Sequence, residues 1–213
     1  MTVNGSPITS PAGKPVIHIV DDDASFLQAT SRLLKASGFV VRTFPSAADF
    51  FAQRDRDAKG CLVVDLQMPG MNGLELQEAL ARTSNPLPAL FLIGHGDIPS
   101  SVRAMRGGAE DFLVKTAPKA NLLDAIRRAV ARDERERTTR AQRQEAKERI
   151  ETLTGREREV FSHVIRGRLN KQIADDLNIA ERTVKCHRGN ITTKLGVPSA
   201  AELTRLAHEA GMF

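Results

Sequence analysis

Several charged side chains in the first part of the sequence directly follow short apolar segments. They are Asp21, Asp22, Asp65 and Lys115. Carboxylates that are brought together repel one another unless a cation lies between them. A few hard oxygen ligands with room for water suit Mg²⁺ better than a caged Ca²⁺. A lysine beside them would pair with an incoming phosphoryl oxygen. These residue types predict a Mg²⁺ site that handles a phosphoryl group, provided that the fold brings them together.

The apolar segments before these residues are predicted to be strands. They are short, rich in β-branched residues and bounded by turn formers, which is typical of strands buried on both faces. Helical segments alternate with them, and this order predicts an α/β fold with a doubly wound, five-stranded parallel sheet. The predicted strands are residues 16–20, 39–44, 61–65, 89–93 and 111–114. Right-handed crossovers place their carboxyl ends, and hence the charged residues, at one edge of the sheet.

Acidic residues at strand ends have a second explanation, because aspartate often caps the helix that follows. For Asp23 alone, the two explanations stay open. Capping does not account for Asp21 with Asp22, Asp65 and Lys115 at the ends of three separate strands.

Three motifs carry a resemblance to a known family. They are Val20-Asp-Asp22, Val64-Asp-Leu-Gln-Met-Pro-Gly-Met-Asn-Gly73 and Phe112-Leu-Val-Lys115. Residues 15–130 thereby resemble the receiver domains of bacterial two-component response regulators, which have a flavodoxin-like fold. The resemblance implies that a sensor histidine kinase passes a phosphoryl group to Asp65 and that Lys115 pairs with this group. It also implies a set of Mg²⁺ ligands, namely Asp22 and Asp65 directly, Asp21 through water and the backbone carbonyl of Gln67.

Two residues depart from the family pattern at positions that the resemblance links to switching. Ile93 stands where the family has a Ser or Thr whose hydroxyl bonds the phosphoryl oxygen. Thr116 stands where the family has a proline after a cis bond. A cis bond before Thr costs about 3 kcal/mol, so we expect a trans bond here. Phe112 retains the aromatic switch position. Phosphorylation is thus chemically feasible, but we expect its mechanical coupling to be weakened.

The composition of the other segments sets the predicted domain limits. Residues 1–14 contain Ser, Thr, Pro and Gly without an apolar stretch, which predicts a disordered tail and no secretion signal. Residues 131–150 are rich in strong helix formers and contain no Gly or Pro, which favours a helical linker. The receiver-like domain then covers residues 15–130, and a second domain covers residues 151–213.

The distribution of charge, the length of the apolar runs and the spacing of the cysteines indicate which class of protein this is. Residues 131–213 hold four of the five excess positive charges, which suits a polyanionic partner. No apolar run approaches the roughly 20 residues of a membrane-spanning helix. Cys61 and Cys186 have no disulfide or zinc spacing, which fits a reducing cytoplasm.

The last segment has the pattern of a small helical domain. Thr154-Gly-Arg-Glu157 has the form of a capping box. A later helix, Glu181–Leu195, is predicted to bury Val184, Ile191 and Leu195. Its opposite side carries Arg182, Lys185, Cys186, Gly189 and Thr193. A short turn joins it to a helix predicted to be capped by Asn170, which is helix-turn-helix geometry. On composition alone, a plain bundle with a solvated charged face is an equal alternative.

Motifs again carry a resemblance, here to the LuxR-type DNA-binding domain. They are Leu153-Thr-Gly-Arg-Glu157-Arg-Glu-Val160, Asn170-Lys-Gln-Ile-Ala174 and Arg182-Thr-Val-Lys185-Cys-His187 through Lys194-Leu-Gly-Val197. The whole chain therefore resembles the NarL/FixJ subfamily. The resemblance implies that Lys185 contacts DNA and that Cys186 faces the bases. Phosphate contacts are implied for Arg182, Thr183, Asn170, Lys171 and His187. Ala180 replaces the usual Ser at the cap of this helix.

The predicted function is that of a cytoplasmic transcription regulator, not an enzyme. Its predicted partners are a sensor histidine kinase, double-stranded DNA and a second copy of the chain, as a homodimer on activation. Contact with RNA polymerase is left open, and no membrane partner is expected. Two alternatives remain. One is a phosphorylation-independent DNA-binding regulator with an atypical receiver. The other is a phosphotransfer sink, which would leave residues 152–197 unexplained.

Overall fold

A computed structural model describes residues 13–94 and 98–213 of the chain. The chain divides into two compact units, the N-terminal unit Met1–Glu136 and the C-terminal unit Arg137–Phe213. Nearly all of the predicted tail, and the predicted helix start at Asp97, lie outside the described residues. The predicted domain limits after residues 14, 130 and 150 stay predictions.

Parallel strands form the sheet of the N-terminal unit. They are β1 (Val16–Val20), β2 (Val40–Phe44), β3 (Gly60–Asp65), β4 (Ala89–Ile93) and β5 (Asp111–Val114). Their spatial order is β2-β1-β3-β4-β5, and every pair is parallel. Val20 of β1 lies opposite Val64 of β3, so the carboxyl ends of these two strands are side by side. The predicted doubly wound, five-stranded sheet is confirmed.

Helices cover both faces of this sheet. They are α1 (Ala24–Ala36), α2 (Ala47–Gln53), α3 (Gly73–Ala81), α4 (Ile98–Arg106) and the first part of α5 (Lys119–Glu151). Successive residues of a strand point to opposite faces, so each strand contributes to two cores. In β4, Phe91 and Ile93 belong to one apolar cluster, whereas Leu92 packs in the other with Ile126 of α5. The edge that carries the charged residues is therefore held by a sheet buried on both sides.

A single helix, α5, includes the predicted linker at residues 131–150. It is 33 residues long. In the N-terminal unit, the buried carboxylate of Asp133 accepts a hydrogen bond of 2.8 Å from the Gly60 N–H, at the first residue of β3. In the C-terminal unit, Ala146 and Ile150 enter the apolar core. This helix thus contributes buried side chains to both units.

The C-terminal unit continues with short helices. They are α6 (Gly155–Val164), α7 (Asn170–Leu177), α8 (Glu181–Leu195) and α9 (Ala200–Glu209). Asn178, with a left-handed φ of 51°, makes the turn between α7 and α8. Helix α9 was not predicted from the sequence, although the Ser199 hydroxyl caps it and Leu203 and Leu206 are buried at helical spacing. The C-terminal unit is therefore all-helical, as predicted.

The predicted N-terminal cap is confirmed for α6 but not for α7. The capping box of Thr154 and Glu157 is present. The Lys194 Nζ atom lies 2.7 Å from a Glu157 oxygen. The hydrogen bond between them is the main reason why the pKa of Glu157 is lowered to about 2. The prediction that Asn170 caps α7 was wrong. Leu169 occupies the cap, its N–H donates to the Gln172 side chain at 2.9 Å, and Asn170 is the first helical residue.

Ala180 caps α8 without a side-chain hydrogen bond. Its backbone angles, φ −69° and ψ 145°, are close to those of Thr154, φ −63° and ψ 162°, whose hydroxyl caps α6. A hydroxyl placed at residue 180 would therefore reach an N–H group of the first turn.

We expect Ala180→Ser to stabilise α8 against local unfolding by about 1 kcal/mol, because the new hydroxyl satisfies a helix N–H group. Amide hydrogen exchange of α8 in the full chain, followed by mass spectrometry, should slow by about fivefold. The control is Ala141→Ser on the exposed side of α5, which should weaken its helix slightly. Equal exchange rates of α8 in Ala180→Ser and the parent would contradict the expectation.

Candidate metal centre and nucleic-acid interface

Strand ends of the N-terminal unit converge on a small group of charged side chains. Asp21 and Asp22 directly follow β1, Asp65 is the last residue of β3, and Lys115 directly follows β5. One ligand oxygen from each of the three carboxylates lies within 4.8 Å of the other two. The fold thus brings together all of the charged residues from which the sequence predicted a phosphoryl-handling site.

The Lys115 ammonium lies between two of these carboxylates. Its Nζ atom is 2.7 Å from Asp21 Oδ2 and 3.0 Å from Asp65 Oδ2. Burial lowers the pKa of Lys115, but the hydrogen bonds to Asp21 and Asp65 outweigh it and leave the pKa above its usual value. The lysine is therefore positively charged at neutral pH.

The three consecutive aspartates after β1 have different surroundings. Asp21 is only 1% exposed, and burial raises its pKa in spite of the lysine beside it. Asp22 is exposed to solvent. Asp23 is the N-terminal cap of α1, and its carboxylate accepts hydrogen bonds of 2.8 Å and 3.1 Å from the Ser25 and Phe26 N–H groups. The question left open for Asp23 is thereby answered as helix capping.

The donor atoms fit a small, hard cation. Carboxylate oxygens are the preferred ligands of Mg²⁺, which also keeps several waters and so needs an open side, as at the exposed Asp22. Gln67 follows Asp65 by two residues, and its N–H lies 3.5 Å from Asp65 Oδ1. The roles of these residues as metal ligands, and that of the Gln67 carbonyl in particular, stay predictions.

Gly73, the first residue of α3, lets that helix approach the end of β3. A Cβ atom at this position would lie 2.4 Å from the Asp65 carbonyl oxygen and 3.1 Å from the Phe91 ring. The Gly73 N–H also donates to the Leu66 carbonyl oxygen at 3.0 Å. A side chain here would displace the backbone that carries Asp65, which explains a glycine at this point of the motif.

The two predicted switch residues lie on one side of the sheet. Ile93, the last residue of β4, is 3% exposed and belongs to the same apolar cluster as Phe91. The Phe112 ring is partly buried against that cluster, 6.1 Å from the Phe91 ring between centroids. The bond between Lys115 and Thr116 is trans, since the described residues contain no cis bond.

In the C-terminal unit, α8 has one buried and one exposed side. Val184, Ile191 and Leu195 are buried. The side chains predicted to face DNA are exposed, namely Arg182, Thr183, Lys185 and Cys186, together with Gly189 and Thr193. Lys185 Nζ lies 3.4 Å from a Glu181 oxygen, in a pair that is open to solvent. The exposed side of α8 can therefore meet a polyanion without unfolding the domain.

Three further residues predicted to contact DNA lie in α7 and α8, and their side chains differ in exposure. Lys171, near the start of α7, is exposed, whereas Asn170 and His187 are half-buried. The Asn170 side-chain oxygen accepts a 2.8 Å hydrogen bond from Arg188 Nη1, which links α7 to α8. The assignment of all these residues to DNA contacts stays a prediction.

Sequence reasoning missed two side chains beside these sites. Arg188 follows Lys185 by three residues, a spacing that makes helix side chains neighbours and was a usable signal. The Phe26 ring centroid lies 4.5 Å from Lys115 Nζ. Nothing in the sequence pointed to that contact, because it joins residues far apart in the chain.

Comparison with known families now identifies the chain. Residues 17–127 match the model of the response regulator receiver domain, and residues 151–207 match that of the bacterial regulatory proteins of the luxR family. The chain is a response regulator of the NarL/FixJ type. Such a response regulator has a receiver domain and a LuxR-type DNA-binding domain, and its relatives are transcriptional regulators of two-component systems.

Curated relatives match this response regulator over most of their length. The response regulator protein TodT of Pseudomonas putida is 43% identical over 90% of this chain and 84% of its own. Nodulation protein W of Bradyrhizobium diazoefficiens is 39% identical over 96% and 90%. The transcriptional regulatory protein FixJ of the same organism is 38% identical over 92% and 96%.

Solved structures resemble this response regulator as well. That of the response regulator StyR is 45% identical, with a TM-score of 0.78, over 92% of this chain and 99% of its own. Full-length FixJ from B. japonicum is 38% identical, with a TM-score of 0.57, over 94% and 98%. Among the described residues of this response regulator, no helix is long and apolar enough to cross a membrane.

Proposed function

We propose that this response regulator accepts a phosphoryl group on Asp65 from a sensor histidine kinase and thereby controls DNA binding by its C-terminal unit. The observation that carries the proposal is the grouping of Asp65 with Asp21, Asp22 and the Lys115 ammonium at one sheet edge. A receiver domain implies a kinase partner, and a LuxR-type domain implies DNA binding.

In the proposed transfer, a carboxylate oxygen of Asp65 attacks the phosphorus of a phosphohistidine. The phosphorus–nitrogen bond breaks, and the kinase histidine leaves. Lys115 already contacts an Asp65 oxygen at 3.0 Å, so its ammonium is in place to pair with an oxygen of the new acyl phosphate.

Receiver domains generally bind Mg²⁺ through acidic residues. In this chain Asp22 and Asp65 would hold the ion directly, Asp21 through water and Gln67 through its carbonyl. When bound, the ion would neutralise negative charge on the phosphoryl oxygens during an in-line transfer.

The exposed side of α8 is the proposed DNA-reading surface. Lys185 and Cys186 would face base edges in the major groove, while Arg182, Thr183, Asn170, Lys171 and His187 would contact phosphates. We further propose that phosphorylation favours a homodimer that presents two such surfaces, and that the protein works in the cytoplasm, where its DNA is, without being an enzyme. Contact with RNA polymerase is compatible with this arrangement.

Two observations favour a second candidate, a DNA-binding regulator that acts without phosphorylation. Ile93 is buried where a hydroxyl would otherwise respond to the phosphoryl group, and a trans bond precedes Thr116. Intact mass with and without acetyl phosphate and Mg²⁺, followed by gel filtration and by DNA-binding measurements on both forms, separates the two candidates. Uptake of one phosphoryl group with a shift to dimer supports the first. Uptake with neither dimerisation nor a change in DNA binding supports the second, or a phosphotransfer sink if no DNA is bound.

Lys185→Ala in the full chain should weaken binding to a selected operator by about 1–3 kcal/mol, because a base-reading contact is lost. Binding to random DNA should change much less. Lys171→Ala should weaken both alike and lower the salt slope by about one, as expected for a phosphate contact. Fluorescence anisotropy over a range of salt concentrations measures both effects.

The matched control is Lys35→Ala on the exposed side of α1, which removes the same charge from the N-terminal unit. It should leave DNA affinity unchanged. If Lys185→Ala weakened operator and random DNA equally, Lys185 would be a backbone contact and not a reader of sequence.

A further inference from the structure

Three groups among the described residues lie close to the Lys115 ammonium. Two are the carboxylate oxygens of Asp21 and Asp65, at 2.7 Å and 3.0 Å. The third is the ring of Phe26, in the first turn of α1, whose centroid lies 4.5 Å from Nζ. An ammonium within about 6 Å of an aromatic face is attracted by the negative face of the ring. The cation is therefore held by anions and by an aromatic ring at the same time.

A cavity lies beside the contact between Phe26 and Lys115. It measures about 300 Å³ and lies between α1, β5 and the start of α5. Phe26 and Lys115 both line it, together with the apolar side chains of Leu33, Leu113 and Leu122. The lysine side chain has several rotatable bonds, so the cavity offers it room to swing away from the carboxylates. Any movement that takes the ammonium away from the Phe26 ring, whose centroid is now 4.5 Å from Nζ, would lose the attraction between them.

We propose that Phe26 is a positioning residue of the phosphoacceptor site, which keeps the Lys115 ammonium where a phosphoryl oxygen will arrive. This inference rests on the function proposed above. An aromatic face attracts a cation without the strict direction of a hydrogen bond, so Lys115 can shift from Asp65 to the phosphoryl oxygen while the ring still holds it. A leucine at residue 26 would fill space and attract no cation.

The test uses the full chain with acetyl phosphate as donor. An Asp65 oxygen forms a bond to phosphorus, the bond between phosphorus and the acetate oxygen breaks, and acetate leaves as the anion. Phe26→Leu should lower the maximal rate of this reaction by about three- to tenfold, the range of an exposed to partly buried cation–π contact. The half-saturating Mg²⁺ concentration should stay the same, because no carboxylate has changed. Phe26→Tyr, which keeps the aromatic face, should restore most of the rate.

A second readout does not depend on the reaction. In metal-free protein the ring current of Phe26 should shift the NMR signal of the Lys115 ε-methylene protons upfield. Phe26→Leu should abolish this shift, and Phe26→Tyr should keep it. The matched control is Phe39→Leu, which alters another partly buried aromatic side chain packed on the same core. It should change neither the shift nor the rate.

The outcomes separate this inference from the proposed function. An unshifted Lys115 signal in the parent protein, or a full rate in Phe26→Leu, overturns the positioning role alone. A raised half-saturating Mg²⁺ concentration in Phe26→Leu would mean that the carboxylates moved, and it also overturns that role. Failure of the parent to take up any phosphoryl group overturns the proposed function and the positioning role with it.

Discussion

Asp65→Asn should abolish phosphoryl uptake completely, whereas the parent should gain the mass of one phosphoryl group in the presence of acetyl phosphate and Mg²⁺. The amide has nearly the shape of the carboxylate but is a poor nucleophile, so it cannot form the acyl phosphate. Removal of Mg²⁺ should also prevent uptake by the parent. Intact-mass spectrometry of the full chain over a time course measures all three.

Two neighbouring aspartates provide the controls for this experiment. Asp22→Asn should take up the group only at higher Mg²⁺ concentration, because it weakens the metal site but leaves the nucleophile. Asp23→Asn makes the same chemical change at a residue that caps α1, and asparagine caps as well as aspartate. It should behave like the parent. Uptake by Asp65→Asn at the parent's rate would disprove the assignment of Asp65.

Ile93→Thr should increase the effect of phosphorylation on dimerisation by about 10- to 150-fold. A phosphoryl group shifts the equilibrium only through contacts that differ between the two states. A hydroxyl at the end of β4 would add a charge-assisted hydrogen bond in one of them, worth about 1.5–3 kcal/mol. The isoleucine cannot form it and is instead buried with Phe91.

Ile93→Val is the matched control, because valine has nearly the shape of threonine without the hydroxyl. Both variants lose apolar volume from the same cluster, so a difference between them reports the hydroxyl alone. Sedimentation equilibrium should give dimerisation constants for the free and phosphorylated forms of all three proteins. If the parent already switches 100-fold, or if threonine and valine give the same difference, another residue carries the coupling.

The charged site was predictable because its residues stand at strand ends, and strand ends are set by local sequence. The apolar segments that precede Asp21, Asp65 and Lys115 are enough to place these residues at one edge of a parallel sheet. The exposed side of α8 was predictable as well, since helical periodicity alone separates Val184 and Ile191 from Lys185.

Contacts between residues distant in the chain were not predictable in this way. His18 lies in an apolar strand, where burial lowers its pKa to about 4 and Phe44 stacks on it at 6.0 Å between centroids. Its sequence neighbours predicted burial but not that the ring would be neutral. The misplaced cap of α7 has a local cause instead. Gln172, three residues after Leu169, accepts a hydrogen bond from the Leu169 N–H, and the preference of asparagine for caps does not reveal this role.

The continuous helix α5 also matters for the construction of hybrid regulators. Asp133 holds the first residue of β3 and belongs with the receiver, whereas Ala146 and Ile150 complete the core of the other unit. Residues 134–145, all of which the structure describes, add no side chain to the apolar clusters of either unit. A fusion joined within this interval would leave each donor with its own buried side chains. The fusion should keep the total number of residues in α5 unchanged. Each residue inserted or deleted would rotate the part of the helix that follows by about 100° about the helix axis.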